Sequence, residues 1–439
     1  MNRTIDTLLY ISGLKWIKND KEIHIGYKRN GRKKYNILFE YSKDINTVNL
    51  CNEKVEVFSS SKLISKVKDD TLQIYDIPNT IKMYLEQILM NPRKPVIDIL
   101  SLHFRKIVTK FLLERKTVVP IIQPLPYGEK SILFMSHDVD LLRFSKFTNI
   151  FKFHNNTCLN DIWAMIDITR DRYWNFSKIL DWEQKRKIRS TFFFITKRKD
   201  RYARRYSLDE AKGTIEYLVN NHCEIGLHLS DEKILNPGFV NREKSILEDY
   251  VGKIIGMRKH YLTENFFEYI NNVSFSSIHY DSTAGFRNNI GYAIGTSYPV
   301  WYNDILEIPL YLMDSAYMHL ATEKPNKDLL YYFEKSGGIF SILYHNHSFS
   351  EKSFPGWLNA LEFIINSYCR KNEVSLNGKE IYLWRKQIDN IAINIKDDKI
   401  KLKVKHIYSE LPIRIDIYRQ KEMRSVLIKP KEHKNEKYI

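Results

Sequence analysis

Residues 131–144 read SILFMSHDVDLLRF, and this stretch decides the fold. The apolar run in its first half is typical of a buried β-strand. The run ends abruptly at His137, Asp138 and Asp140, after which apolar residues resume. In sheets of parallel strands, the groups that perform chemistry gather at the carboxyl ends of the strands. The stretch therefore predicts a buried strand whose last side chains reach a functional site.

Short apolar runs of the same kind recur over residues 125–372. Short apolar runs that are typical of buried strands include STFFFIT, CEIGLH, AIGTSYP, ILEIPL and GIFSILYH. They alternate with segments of helical spacing such as TIEYLVNN, REKSILEDYVGKI and GWLNALEFIINSYCRK. Strands that alternate with helices predict an α/β fold with a mostly parallel sheet, either open or closed into a barrel.

The flanking regions differ from this middle region. Residues 1–124 combine alternating strand patterns with two helical segments, which predicts an N-terminal α+β accessory domain. The proline-rich segment VVPIIQPLPYGEK predicts a linker with a boundary near residue 125. Residues 373–439 carry period-two patterns such as IAINIKDDKIKLKVKH, which predict a small C-terminal β-rich segment.

Composition limits the class of protein and its partners. The chain has 439 residues, of which 43% are hydrophobic and 28% charged, as in an ordinary folded protein. Its formal net charge of +17 favours anionic partners, namely nucleic acid, anionic lipid headgroups or acidic polysaccharide. The basic residues are spread along the chain, however, which a Lys-, Asn- and Ile-rich composition alone also produces. No nucleic-acid-binding signature accompanies the charge, so no specific nucleic-acid partner is predicted.

Cysteine usage and the N-terminus bear on the compartment. The four cysteines lie far apart and form no CxxC pair, which indicates neither a disulfide framework nor a zinc–thiolate site. The first apolar run is interrupted by Asp6 and lacks a small-residue cleavage site, so it is a poor signal peptide. No segment approaches the ~18 apolar residues of a membrane span. We expect a cytoplasmic protein without a transmembrane segment.

Ionisable residues also mark the ends of other strands in the middle region. They are His228 after CEIGL, Arg258 and His260 in GMRKHY, Asp314 after ILEIPLYLM, and His345 after GIFSILY. Carboxylates and imidazoles at several strand ends suit a divalent metal bound through oxygen and nitrogen, with zinc or another transition metal expected. The remaining carboxylate and imidazole would then serve as general base and general acid.

The order of these motifs resembles that of a known family. SHDVD, STFFFIT, EIGLH, RKHY, LEIPLYLMD and GGIFSILYHN follow one another as in the polysaccharide deacetylases, carbohydrate esterase family 4, in the branch whose first motif reads HDVD. The resemblance covers about residues 128–370. It implies a distorted (β/α) barrel and metal-dependent hydrolysis of an acetyl group, usually an N-acetyl group on a sugar.

The resemblance also implies catalytic roles for four residues. Asp138 matches the catalytic base, and Arg258 lies in the motif that holds that base. His345 matches the histidine that donates a proton to the leaving group. Asp314 falls where the family often has an aspartate that orients this histidine.

The metal ligands follow from the same resemblance, with one position left open. Asp140 and His228 match metal ligands, and Zn²⁺ is the expected ion. Glu232 stands where the common family pattern has a further histidine. His260 is the first candidate for the third ligand and Glu232 the second, while His137 is weaker because strand alternation turns it away from Asp138.

The substrate is less defined than the chemistry. Tyr261, Tyr298 and Trp301 are candidates to stack on sugar faces, although most aromatic residues in a barrel belong to its core. The expected partner is an acetylated polysaccharide or its sugar precursor, with the enzyme cytoplasmic and, as one option, peripheral to a polysaccharide synthesis complex. The alternative is a catalytically inactive glycan-binding protein on a deacetylase scaffold, which the replacement of the motif histidine by Glu232 suggests.

Overall fold

The structure is a computed structural model, and it describes most of the chain. The described residues are 2–50, 53–59, 65–87, 94–116, 118–144, 167–197, 206–230, 235–321, 326–369, 374–396, 399–420, 422–433 and 437–438. Among them, no helix is both long enough and apolar enough to cross a membrane.

The chain forms two compact units. The first comprises Met1–Lys130, Ile294–Tyr298 and Leu383–Ile439, and the second comprises Ser131–Ala293 and Pro299–Tyr382. Each unit consists of segments that are neighbours in space although they are separated along the chain. The three-part division by sequence, at residues 124 and 372, therefore stays a prediction.

The N-terminal part of the first unit mixes helices and short strands. Its elements are α1 (Asn2–Ser12), β1 (Ile23–Gly26), β2 (Tyr35–Glu40), β3 (Ile45–Leu50), β4 (Glu53–Phe58), β5 (Ser65–Lys68), β6 (Thr71–Tyr75), α2 (Ile77–Leu85), α3 (Val96–Leu113) and β7 (Val119–Ile122). Four of the strands form a sheet in the order β1-β2-β6-β5, and β3 and β4 form an antiparallel pair. The α+β character expected for this region is therefore observed.

The second unit alternates strands and helices. Its elements are β8 (Ser131–Val139), α4 (Phe176–Gln184), β9 (Ser190–Phe194), α5 (Leu208–Asn220), β10 (Glu224–Leu229), α6 (Pro237–Val251), β11 (Gly256–Lys259), α7 (Phe266–Val273), β12 (Tyr280–Asp281), β13 (Val300–Tyr302), β14 (Ile305–Glu307), β15 (Leu312–Met313), α8 (Asp314–Ala321), α9 (Asn326–Ser336), β16 (Gly338–Leu343) and α10 (Trp357–Cys369). The sheet order is β13-β14-β12-β11-β10-β9-β8-β16-β15, and every pair except β13–β14 is parallel. The predicted α/β class is confirmed.

The remaining elements complete the chain. They are α11 (Gly378–Asp389), β17 (Ile391–Lys396), β18 (Lys399–Val404), β19 (Ile413–Arg419), β20 (Glu422–Ile428) and β21 (Lys437–Tyr438). Within the first unit, β19 pairs with β20 on one side and with β7 on the other. The C-terminal strands thus share a sheet with a strand from the N-terminal part.

One extended segment draws the two ends of the large sheet together. Its start, β14, pairs with β12, and its end, β15, pairs with β16 at the opposite end of the strand order. Between them, the amide of Leu310 donates to the carbonyl of Ala284 (3.0 Å), and the amide of Tyr311 donates to the carbonyl of Ser341 (3.1 Å). Since only four residues separate β14 from β15, the sheet must curl, and the predicted distorted (β/α) barrel is confirmed.

Local sequence explains how the central elements begin and end. All nine residues of β8 are buried, which accounts for its apolar run, because a strand of a parallel sheet is covered on both faces. Helix α5 begins with a capping box in which Ser207 and Glu210 bond each other's backbone amides. Helix α6 begins at Pro237 behind the capping side chain of Asn236 and ends at Gly252, whose φ of 73° favours glycine.

Tyr280 fills a slot that two glycines leave open. A Cβ on Gly256 or on Gly378 would lie 2.0 Å or 2.3 Å from the Tyr280 ring. The Tyr280 hydroxyl donates to Glu224 Oε1 (3.0 Å), and burial raises the pKa of this carboxyl to about 7. Tyr280 is therefore a core residue that requires glycine on both sides.

We expect Gly256→Ala to lower the free energy of unfolding by about 1–3 kcal/mol, because the added methyl group overpacks against the Tyr280 ring. The matched control is Gly213→Ala in α5, where a Cβ would meet nothing within 4 Å. That change should raise the free energy of unfolding by roughly 0.5–1 kcal/mol. Urea unfolding of both variants checks the difference, and equal stability of the two would contradict the packing described for Tyr280.

Candidate functional site

Several strands of the barrel end around one cavity of about 220 Å³. Side chains reach it from the end of β8, from β10, from the turn after β11, from the residues around β15 and from the residue that follows Tyr344. The residues that line it are Asp138, Asp140, His228, His260, Tyr261, Leu262, Arg287, Asn288, Met313, Ser315, Leu343 and His345. The ionisable residues that the sequence placed at separate strand ends are thus neighbours in space.

Asp138 is held by a fully buried arginine. Arg258 Nη1 donates to Asp138 Oδ1 and to Ser136 Oγ, both at 2.9 Å. The remaining guanidinium nitrogens bond Ser282, through Nε to its carbonyl (2.8 Å) and through Nη2 to its hydroxyl (3.0 Å). These bonds fix the carboxylate through one oxygen, and Oδ2 lies 3.5 Å from His228 Nε2 on the cavity side. Asp138 is therefore positioned by one oxygen and available through the other.

Asp140, His228 and His260 form a compact group with one ligand atom each. Nε2 of His228 lies 3.2 Å from Asp140 Oδ1, and Nε2 of His260 lies 3.4 Å from Asp140 Oδ2. With one ligand atom taken from each residue, the three atoms lie within 4.8 Å of one another. The spacing and the donor types therefore fit a divalent metal, and this group could hold one.

Further contacts orient these side chains for metal binding. His228 Nδ1 lies 3.0 Å from the Arg258 carbonyl, so it carries the proton and leaves the lone pair of Nε2 for a ligand bond. Burial opposes ionisation of Asp140, but the nearby imidazoles of His228 and His260 outweigh it and hold the pKa of this carboxyl well below its usual range. The group therefore presents an anionic oxygen, which favours a cation.

The turn that carries His260 has unusual backbone geometry. Tyr261 and Leu262 follow it with φ of 65° and 52°, a left-handed conformation that residues with side chains rarely adopt. The Tyr261 ring stacks on the His260 ring at 3.7 Å between centroids. Backbone strain of this kind is concentrated at functional sites, where the surrounding structure holds it in place.

His345 and Asp314 form a hydrogen-bonded pair beside the metal-binding group. His345 Nδ1 donates to Asp314 Oδ1 (2.9 Å), while the His345 amide and the Ser348 hydroxyl donate to Oδ2 (2.8 and 2.6 Å). Burial disfavours the imidazolium, but the charge of Asp314 and this hydrogen bond outweigh it and raise the pKa of His345 to about 10. Burial likewise opposes ionisation of Asp314, yet the same pair lowers its pKa to about 2. His345 Nε2 lies 3.8 Å from Asp140 Oδ2, so a protonated imidazole faces the cavity.

The structure places His137 outside this site. Its Nδ1 lies 2.7 Å from the Tyr344 carbonyl, and its Nε2 lies 2.9 Å from Glu183 Oε1. Its ring stacks on Phe192 in the buried interior. This placement is what the alternation of side chains along a strand dictates.

The other predicted residues divide into three groups. Tyr261 lines the cavity, as expected of a substrate-binding residue. Tyr298 instead packs at 6.3 Å edge-to-face on Tyr10 in the first unit, and Trp301 packs at 6.0 Å against Tyr382 in the second. Neither is among the described residues that line the cavity. Glu232 lies outside the described residues.

Sequence reasoning missed Arg287 and Asn288 at the cavity mouth. Both are exposed, and the Arg287 guanidinium lies 5.4 Å from the Tyr261 ring centroid. The only signal in the sequence is their position just after the stretch DSTAGF, residues 281–286. Nothing in a lone arginine of a loop indicates which strand end it will face.

Comparison with known proteins gave structural likenesses only. No family model matches the chain, and no curated protein matches it. A candidate polysaccharide deacetylase from Mycobacterium smegmatis is 15% identical, with 58% of this chain and 90% of that chain covered and a TM-score of 0.37. A candidate polysaccharide deacetylase involved in O-antigen biosynthesis from Bordetella bronchiseptica is 13% identical (60% and 91% covered, TM-score 0.30). A carbohydrate esterase family 4 pseudoenzyme from Bacillus anthracis is 12% identical (60% and 68% covered, TM-score 0.30). Likenesses at this level carry no argument about activity.

We expect His228→Ala and His260→Ala each to weaken Zn²⁺ binding by more than the roughly 10- to 100-fold that the loss of an outer-shell partner costs. Calorimetric titration of Zn²⁺ into metal-stripped protein measures this. The matched control is His222→Asn, an exposed histidine whose φ of 63° asparagine tolerates. Unchanged affinity in His260→Ala would exclude His260 as the third ligand.

Proposed function

We propose that this chain is a metal-dependent deacetylase of the polysaccharide deacetylase type. The reaction is hydrolysis of an acetyl group, N-acetyl on an amino sugar in the first instance, from a cell-surface or exported polysaccharide or its precursor. The observation that carries the proposal is the arrangement of the cavity. A carboxylate held by arginine (Asp138) and an imidazole held by aspartate (His345) flank one group of metal-ligand atoms.

Asp140, His228 and His260 are the residues proposed to hold the metal, with Zn²⁺ favoured by two imidazoles and one carboxylate. When bound, such an ion supplies Lewis-acid chemistry, polarising the acetyl carbonyl and making a water molecule more acidic. The HDVD and EIGLH motifs place the first two ligands in the order of the family that the chain resembles. The proximity of His260 supports it as the third.

The proposed roles of the other side chains follow from their partners. Asp138 takes a proton from the attacking water through Oδ2, since Arg258 occupies Oδ1. As the tetrahedral intermediate collapses, the C–N bond breaks and His345 gives its Nε2 proton to the departing amine. Asp314 serves this step because its charge stabilises the imidazolium. The products are acetate and the free amino sugar.

A catalytically inactive glycan-binding protein remains the alternative, and it has less support. Loss of catalysis relaxes the constraints on the base, the acid and their partners, whereas all four of these side chains are present here with short hydrogen bonds. Acetate release decides between the two.

Zinc-loaded protein is expected to release acetate from N-acetylated amino-sugar oligomers, and Asp138→Asn should lower kcat by roughly 10²- to 10⁴-fold, because the general base is lost. Asp249→Asn on the exposed face of α6 is the matched control and should leave the rate unchanged. An enzyme-coupled acetate assay gives both numbers. Equal rates for Asp138→Asn and the unchanged protein would exclude Asp138 as the base, and no release by zinc-loaded protein from any acetylated glycan would favour the inactive alternative.

Asp314→Asn tests the proton donor through pH dependence. Asp314 raises the pKa of His345, so the protonated donor persists to higher pH while the aspartate is present. Removing this negative charge lowers the pKa of His345, and the alkaline limb of the kcat profile should move to lower pH. Profiles of kcat from pH 6 to 10.5 or so, with Asp249→Asn as the control, measure the shift. An alkaline limb that stays in place would show that another group sets it.

A further inference from the structure

The first unit contains a groove of about 1040 Å³, larger than the cavity of the second unit. Its walls come from strand β1, the turn that follows it, Tyr41 and the first turns of α2. Four of the described residues that line it carry a positive charge, namely Lys28, Arg29, Arg32 and Lys82. None of the described residues that line the groove is acidic. We name this concavity the basic groove.

The positive charge of the basic groove is mostly unneutralised. Within the described segments, no carboxylate lies within ion-pair distance of Lys28, Arg29 or Arg32, and all three side chains are exposed. Lys82 has a carboxylate, that of Glu86, at 4.0 Å. Cations that line one groove with few counter-charges create a positive potential that favours an anionic ligand.

The turn that carries Arg29 and Arg32 is held by several hydrogen bonds. The side chain of Asn36, which is fully buried, accepts from the Asn30 amide (2.9 Å), and Asn30 Oδ1 accepts in turn from the Arg32 amide (3.0 Å). Lys33 Nζ donates to two backbone carbonyls of the preceding segment, at 2.8 Å each. A preorganised backbone lowers the entropic cost of binding, which distinguishes this turn from a mobile basic loop.

The basic groove also offers apolar and aromatic surface. Tyr27, Tyr41, Ile25 and Pro78 line it, and Tyr41 is 64% exposed. The Tyr27 hydroxyl donates to Asp76, the residue that caps α2 through the Asn79 amide, so this ring is fixed against the helix. An aromatic side chain exposed to this extent is suited to pack on the apolar face of a ring in a ligand.

We propose that the basic groove binds an acidic glycan, that is, sugar rings bearing carboxylate or phosphate groups. Cations would pair with the anionic groups, and Tyr41 would pack on a ring face. The choice of a glycan over a nucleic acid rests on the proposed function, because the chain carries a cavity suited to an acetylated sugar. The site itself is separate from that cavity, since every residue that lines the groove belongs to the first unit.

Binding is tested on metal-stripped Asp138→Asn full-length protein, so that turnover does not interfere. Fluorescence anisotropy is recorded with labelled hyaluronan octasaccharide (carboxylate) and a phosphomannan oligosaccharide (phosphate). A neutral N-acetylglucosamine oligomer and single-stranded oligo-dT serve as competing classes. At least one acidic glycan should bind more tightly than the neutral oligomer and the DNA, and its binding should weaken as salt is raised.

The variants locate the binding. Arg29→Gln/Arg32→Gln should weaken it roughly tenfold, whereas Lys66→Gln/Lys68→Gln removes the same charge from exposed positions on β5 and should change it less than twofold or so. Tyr41→Ala should weaken binding and Tyr41→Phe should preserve it, since the ring face remains. Equal effects of the two double variants, absence of binding to both acidic glycans, or tighter binding of DNA would each overturn the proposal.

The two proposals fail separately. Arg29→Gln/Arg32→Gln introduced into the zinc-loaded protein with Asp138 intact should release acetate from a short neutral oligomer at the unchanged rate. If the protein binds acidic glycan but neither the unchanged protein nor the variant releases acetate, the proposed glycan site is kept and the proposed deacetylase activity is rejected. If acetate is released but no acidic glycan binds, the deacetylase activity is kept and the proposed glycan site is rejected.

Discussion

The buried ion pair between Arg258 and Asp138 is the interaction on which the second unit depends. A fully buried guanidinium must be neutralised, and this one is satisfied by Asp138, Ser136 and Ser282 together. Strands β8 and β11 are separated by two others, so in a flat sheet they would stand about 14 Å apart. The pair forms inside the concave face because the sheet curls, and the curl is stabilised in turn because the charges are paired.

Charge balance connects this pair to the rest of the cavity. Asp138 is paired with Arg258 and Asp314 with protonated His345, whose Nε2 also lies 3.8 Å from Asp140 Oδ2. His228 and His260 complete the group that could hold a metal, and metal binding requires each imidazole in its neutral form. Asp140 therefore presents its carboxylate at the position where a metal is proposed. The proposed base and the proposed acid both lie next to this group, each oriented by a partner that the other does not share.

Local rules are obeyed through most of the barrel and broken near the cavity. Helices begin with capping side chains and one ends at a positive-φ glycine, and Tyr280 lies between two glycines that accommodate it. Near the cavity, by contrast, acidic residues end a fully buried strand, and two consecutive residues, Tyr261 and Leu262, adopt the left-handed conformation that elsewhere in the barrel is adopted by single non-glycine residues such as His222. Such violations are expected where function, and not stability alone, determines the residue.

The sequence by itself determined the class of fold, the strand ends that carry ionisable residues and the side of β8 on which each of them lies. These features depend on burial and on the two-residue period of a strand, which are local properties. Only the tertiary structure decided that β14 and β15 join opposite ends of the sheet, that His260 lies beside Asp140, that Arg287 reaches the cavity mouth, and that Tyr298 packs on Tyr10 elsewhere. The reason is physical: the distance between residues far apart in sequence is set by sheet curvature and packing, which no local pattern encodes.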